Sequence, residues 1–172
     1  MELNHAGRSI RATILYYGPA LCGKTTNLQV LHRLAVSARR GDLISVNTMQ
    51  DRTLLCDLLP LKSSGFRGYE LQVRLMAVPG QSMYAVSRKV ALRAADAVVF
   101  VANSAHDRLH ENIQSMREMK EYIAGAGTSS PMPTVVQYNK RDLPEVTSAE
   151  DLSHALGVPA GVAIPAVATE RV

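Results

Sequence analysis

The sequence predicts an α/β fold: a mainly parallel central sheet with helices on both faces. Three observations carry that expectation. Strand-like and helix-like segments alternate almost throughout the 172 residues, which is how chains build βαβ units. The run Ala97–Ala102 is apolar without alternation, as suits a parallel strand buried on both faces. Between 105 and 124 the apolar residues Leu109, Ile113, Met116, Met119 and Ile123 recur at helical spacing. No repeat or linker interrupts the pattern, so residues 1–172 are expected to form a single domain.

The elements follow in order. Residues 9–17 are rich in β-branched and aromatic types and read as a strand, which Gly18-Pro19 terminates. A helix follows at 24–36, with Leu28, Leu31 and Leu34 placed on one face. Residues 43–47 read as a short strand, 50–68 as irregular. Alternation of Leu71, Val73 and Leu75 with Gln72 and Arg74 predicts a strand at 69–78, paired with the short strand before it. A helix at 83–95 precedes the strand 97–102. The helix 105–124 has Ser104 and Asp107 in capping-box positions and Gly125 past its end. Pro133–Tyr138 is another strand. Thr147 and Glu150 cap a short helix ending at Leu156-Gly157, and the last strand spans about 162–167.

Composition excludes several classes. The hydrophobic fraction of 47% is enough for a sizeable core, and Gly 11 with Pro 8 is too little for a disordered or collagen-like chain. The longest apolar stretch is far short of the ~20 residues of a membrane helix. Net charge is +4, but the basic clusters lack interleaved aromatics, so a solvated surface is expected rather than a nucleic-acid site. Cys22 and Cys56 fit free thiols in a reducing compartment. There is no signal-peptide pattern at the N-terminus and no lipidation motif at either end, so a cytoplasmic protein without an intrinsic membrane anchor is expected.

The chemistry lies in three segments. Gly18-Pro-Ala-Leu-Cys-Gly-Lys-Thr25 matches the phosphate loop G-x-x-x-x-G-K-[ST], set between a strand and a helix as that loop requires. Gly18 and Gly23 let the backbone curl round phosphate oxygens, together with Ala20, Cys22 and Thr26. Lys24 reaches the β- and γ-phosphates, and the Thr25 hydroxyl ligates Mg²⁺. Asn139-Lys-Arg-Asp142 stands directly after a strand. In Ras-like GTPases an N-K-x-D segment reads guanine. The Asp142 carboxylate would accept two hydrogen bonds from the guanine edge, which adenine does not offer. Asn139 would bond the base and tie loops together, and the Lys140 stem would cover the ring. In Val78-Pro-Gly-Gln81, Gly80 presents its N–H to a γ-phosphate and Gln81 orients an attacking water. Val167 and Ala168, after the last strand, add backbone contacts to the base.

Together Tyr16–Leu28, Asp51–Pro60, Val78–Gln81 and Gln137–Pro144 resemble, in order and over essentially the whole chain, the MglA-like branch of the bacterial Ras-like small GTPases. The resemblance implies the Ras-like P-loop GTPase fold, binding of GTP and GDP with Mg²⁺, slow hydrolysis and a two-state switch in gliding motility or cell polarity. It also implies polarity effectors and an activating partner resembling MglB, of the roadblock type. By position, Thr53 resembles the switch threonine that meets Mg²⁺ and γ-phosphate. Arg52 resembles the family's built-in arginine, which stabilises charge on the transferring phosphoryl group. Gln81, Arg52 and Lys24 are then the catalytic set.

Two departures stand out. Ala77 occupies a position where Ras-like proteins carry Asp and MglA proteins tend to carry Thr. Its methyl group cannot hold a metal-bound water, so weaker Mg²⁺ retention is expected. The chain also stops short of the family's final C-terminal helix. Both features motivate an alternative: a catalytically weak nucleotide-binding interaction module. A P-loop ATPase or kinase is a third reading, disfavoured by Asp142. Two smaller expectations complete the set. His106 and His110 stand at i, i+4 without a third metal ligand, so surface histidines are expected; Cys22 lies at a helix N-terminus, a setting that can lower a thiol pKa, but a small loop filler is the favoured reading.

Overall fold

In a computed structural model that describes residues 1–46, 56–126, 131–159 and 161–169, the strands are β1 (Glu2–Asn4), β2 (Ser9–Tyr17), β3 (Ile44–Val46), β4 (Cys56–Phe66), β5 (Tyr69–Ala77), β6 (Ala97–Asn103), β7 (Thr134–Asn139) and β8 (Ile164–Pro165). The helices are α1 (Lys24–Leu34), α2 (Ala85–Ala94), α3 (Leu109–Ala124) and α4 (Ala149–Leu156). Among the described residues these strands form one eight-stranded sheet, ordered β3-β4-β5-β2-β6-β7-β8, with β1 pairing beside β2. Strands β5, β2, β6, β7 and β8 run parallel. The β3-β4 and β4-β5 pairs are antiparallel, so the sheet is mixed at one edge and parallel from its centre outward.

Strand alternation distributes the core over two faces. Leu15 and Tyr17 of β2 point to the face covered by α2, α3 and α4, where they meet Leu92, Phe100, Met116, Met119, Tyr138 and Leu152. Tyr16 points the other way and joins Leu28 of α1, Leu59, Leu75 and Val101. Both faces of β6 are used: within the apolar run Val98 and Phe100–Ala102 are buried, while Ala97 and Val99 are half-buried.

Several sequence expectations shift. Part of the stretch expected to be irregular is β4, eleven residues long. Pro60 sits within it, yet costs no bond to β5: its carbonyl accepts from Gly41 N at 2.9 Å, on the opposite edge, so the missing N–H lies on that side too. β5 therefore pairs with β4 and β2 rather than with the short strand β3. Leu34 is 47% exposed, because steps of three drift about 60° each around a helix of 3.6 residues per turn. Ser104 and Asp107 form no capping box: a 3₁₀ turn, His106–Arg108, precedes α3, and Ser104 is fully buried. The cap of α4 is Ser148, whose Oγ accepts from Asp151 N at 3.0 Å. Thr147, one residue earlier, is instead held by its backbone, donating to Ser104 O at 2.9 Å. The last strand is only Ile164–Pro165.

Candidate functional site

The carboxyl ends of β2, β5, β6, β7 and β8 lie along one edge of the sheet, where open α/β sheets place their ligands. Each chemistry-bearing segment begins there. The phosphate loop leaves β2, the Pro79–Gln81 segment leaves β5, Lys140–Asp142 leaves β7 and Ala166–Ala168 leaves β8. A cavity of about 670 Å³ opens at this edge, lined in part by Ala20, Gly23, Lys24, Thr25, Thr26, Gly80, Gln81 and Lys140.

α1 starts at Lys24 with Gly23 as its N-cap, in the left-handed region at φ 102°. A side chain there is excluded twice over, since a Cβ would stand 2.3 Å from Asn139 Nδ2. The Lys24 ammonium is buried and folded back on its own loop, donating to Gly18 O at 3.0 Å and Pro19 O at 2.6 Å. Burial lowers its pKa from the usual lysine range. Cys22 is fully buried, and burial outweighs the nearby Lys24 charge, pushing the thiol pKa up. Cys22 thus packs as the small loop filler that the sequence favours.

Asn139 lies behind the cavity as a tie between loops. Its Nδ2 donates to Cys22 O at 2.8 Å, and its Oδ1 accepts from Ala168 N at 2.9 Å. Arg141 N donates to Ala166 O at 3.2 Å, which docks the loop after β8 on the loop after β7. Asp142 is exposed beside them, and Val167 is half-buried in the neighbouring loop. Gly18 backs onto the Val101 carbonyl, away from the lining. Arg52 and Thr53 lie outside the described residues.

Beside Thr25 the cavity holds an acidic residue that none of the sequence motifs includes. Asp57 of β4 is the register partner of both Ser45 on β3 and Ala77 on β5. Its carboxylate accepts from Thr25 Oγ1 at 2.6 Å and from Ser45 Oγ at 2.7 Å. It is the acidic side chain among the lining residues described. Ala77 itself offers no carboxylate, and Asp57, its register partner on the neighbouring strand, does. Two hydroxyls and a carboxylate within hydrogen-bond distance are the hard oxygen donors that Mg²⁺ takes, so the residues present fit that ion. An aspartate interrupting the apolar run Leu54–Leu59 was the available signal. Elsewhere, among the described residues, no three of His, Cys, Asp and Glu gather; His106 lies in the 3₁₀ turn ahead of α3, whereas His110 lies in the helix itself.

No family model matches the chain. Against curated proteins, it is 43% identical over 155 residues to the mutual gliding-motility protein MglA of Myxococcus xanthus (strain DK1622), covering 90% of this chain and 80% of that protein. No helix among the described residues is long and apolar enough to cross a membrane. With a phosphate loop and an Asn-Lys-Arg-Asp loop converging on one sheet edge, and that identity over most of its length, the chain belongs to the MglA-like family of small Ras-like GTPases, switches that bind and hydrolyse GTP.

Proposed function

We propose that residues 1–172 act as one cytoplasmic GTPase domain whose cavity takes the phosphates of GTP, with guanine held over Lys140 and against Asp142. The observation that carries this reading is the tie from Asn139 to Cys22 O, which fixes the base loop to the phosphate loop at 2.8 Å. It sets a constant span between two subsites that one nucleotide would bridge.

Thr25, Thr53 and Asp57 are the residues that would hold Mg²⁺, with Ser45 supporting Asp57. The ion, when bound, neutralises charge on the β- and γ-phosphates. The remaining work falls to the chain. Lys24 swings from the Gly18 and Pro19 carbonyls onto phosphate oxygens, exchanging neutral acceptors for charged ones. Gln81 orients a water for in-line attack on the γ-phosphorus. The bond to the β–γ bridging oxygen breaks, giving GDP and phosphate. Arg52 stabilises charge on the equatorial oxygens; such an arginine is worth roughly 10³–10⁵ in rate. A roadblock-type activator resembling MglB and polarity effectors would read the switch loops, in a motility or polarity process. The weakly catalytic interaction module is not favoured.

Single-turnover hydrolysis of GTP by wild type, Arg52→Ala and Gln81→Leu tests the assignment. Both variants should retain nucleotide and lose hydrolysis by at least about a hundredfold. Rates within a few fold of wild type would remove these residues from the catalytic set.

A further inference from the structure

Arg88 stands on α2 seven residues after Gln81, and it is only 3% exposed. Its guanidinium reaches two elements at once. Nη1 donates to the Gln81 carbonyl and, at 3.3 Å, to the Pro79 carbonyl. Nη2 donates to Glu118 Oε1 of α3 at 2.7 Å. The two carbonyls flank Gly80, whose other side abuts the phosphate loop: a Cβ there would stand 2.3 Å from Ala20 N. The Pro79–Gln81 segment is therefore gripped between the phosphate loop and an arginine anchored on α3.

Packing does not explain an arginine at this place. Among the described residues Arg88 Nε and the neighbouring Tyr17 hydroxyl are buried close to each other without forming a well-aligned hydrogen bond. An apolar side chain of similar volume would avoid that cost. What only a guanidinium supplies is a planar fork, with one arm for carbonyls and the other for a carboxylate.

We propose that Arg88 is the positioning residue of the catalytic loop: through its grip on the Pro79 and Gln81 carbonyls, anchored by Glu118, it sets where Gln81 enters the cavity. This rests on the reading of Gln81 as the residue that orients water. Losing the grip misplaces Gln81 without removing any group that holds nucleotide.

The test measures three quantities in the full chain: release of a fluorescent GDP, thermal midpoint and single-turnover GTP hydrolysis. Arg88→Met should hydrolyse on the order of tenfold to a hundredfold more slowly, as for a misplaced catalytic group, with GDP release within twofold of wild type. Arg88→Lys and Glu118→Gln, which disturb the core less, should show smaller losses of the same kind. Combining Arg88→Met with Gln81→Leu should be no slower than Gln81→Leu alone, because both changes act on one step. Multiplying losses would overturn the proposal. So would wild-type hydrolysis in Arg88→Lys and Glu118→Gln. A wild-type rate in Gln81→Leu would sink the Gln81 reading and this proposal with it. A slow Gln81→Leu beside a fast, folded Arg88→Met would sink the Arg88 proposal alone.

Discussion

Replacing Asn139 with alanine removes two hydrogen bonds that hold three loops together. Asn139 is 2% exposed. Its amide nitrogen donates to the carbonyl of fully buried Cys22, and its oxygen accepts from Ala168 N. A buried group left without a partner costs about 1–3 kcal/mol. The Cys22 carbonyl is deeply enclosed and belongs in the upper part of that range. The Ala168 N–H is half-buried and within reach of water, so it belongs in the lower part. The sum is ~2–4 kcal/mol. At roughly 2–4 °C per kcal/mol for a chain of this size, the melting temperature should fall by about 4–16 °C. Asn139→Asp keeps the acceptor but turns a carboxylate oxygen toward the Cys22 carbonyl, so it should destabilise at least as much. The assay is thermal unfolding by circular dichroism, with no added nucleotide and with saturating GDP. The fall must appear in both conditions, because both bonds exist without ligand. A change below about 1 °C without nucleotide would refute the reasoning. A loss confined to the GDP-bound sample would make Asn139 a ligand contact and not a tie.

Other expectations follow from the same geometry. Asp57→Asn removes the carboxylate next to Thr25, so the Mg²⁺ concentration that half-maximally slows GDP release should rise about tenfold, near 1.4 kcal/mol; an unchanged midpoint would detach Asp57 from the metal. Asp142→Asn should erase the preference for GTP over ATP in competition binding, and unchanged selectivity would remove Asp142 from the base site. Burial raises the Cys22 and Cys56 pKa values, so both thiols stay neutral at pH 8 and thiol reagents should label the native chain slowly. Both should react promptly in denaturant. The raised Cys22 pKa also has a stability sign: above the ordinary thiol range the unfolded chain binds fewer protons, so this residue's contribution declines as pH rises. Cys22→Ala should therefore lose less stability than wild type between about pH 8 and 10; an identical slope would contradict the burial account.

The phosphate loop was legible because its chemistry constrains backbone as well as side chains. Gly23 must be glycine for its φ and for Asn139, and that requirement leaves a spacing visible in sequence. β2 and the helix boundary at Gly157 were legible for similar local reasons, a β-branched run and a left-handed cap. β4 was not, because Pro60 and Lys62–Gly65 break the alternation that marks a strand. Only the pairing with β5 reveals that Pro60's missing donor faces away from it. Asp57 was hidden for another reason. Its place beside Thr25 depends on register, which sets it between Ser45 and Ala77 from two other strands. Arg88 reads in sequence as one more helical arginine; its role needs α3 packed alongside.

The most direct test of the central claim is the binding of GTP, GDP and ATP to the purified chain, with Mg²⁺ and with chelator. Tight binding of GTP and GDP, weak binding of ATP and faster nucleotide release in chelator are expected. Equal affinity for ATP, or no guanine-nucleotide binding by a folded sample, would contradict the assignment of the cavity and of Asp142.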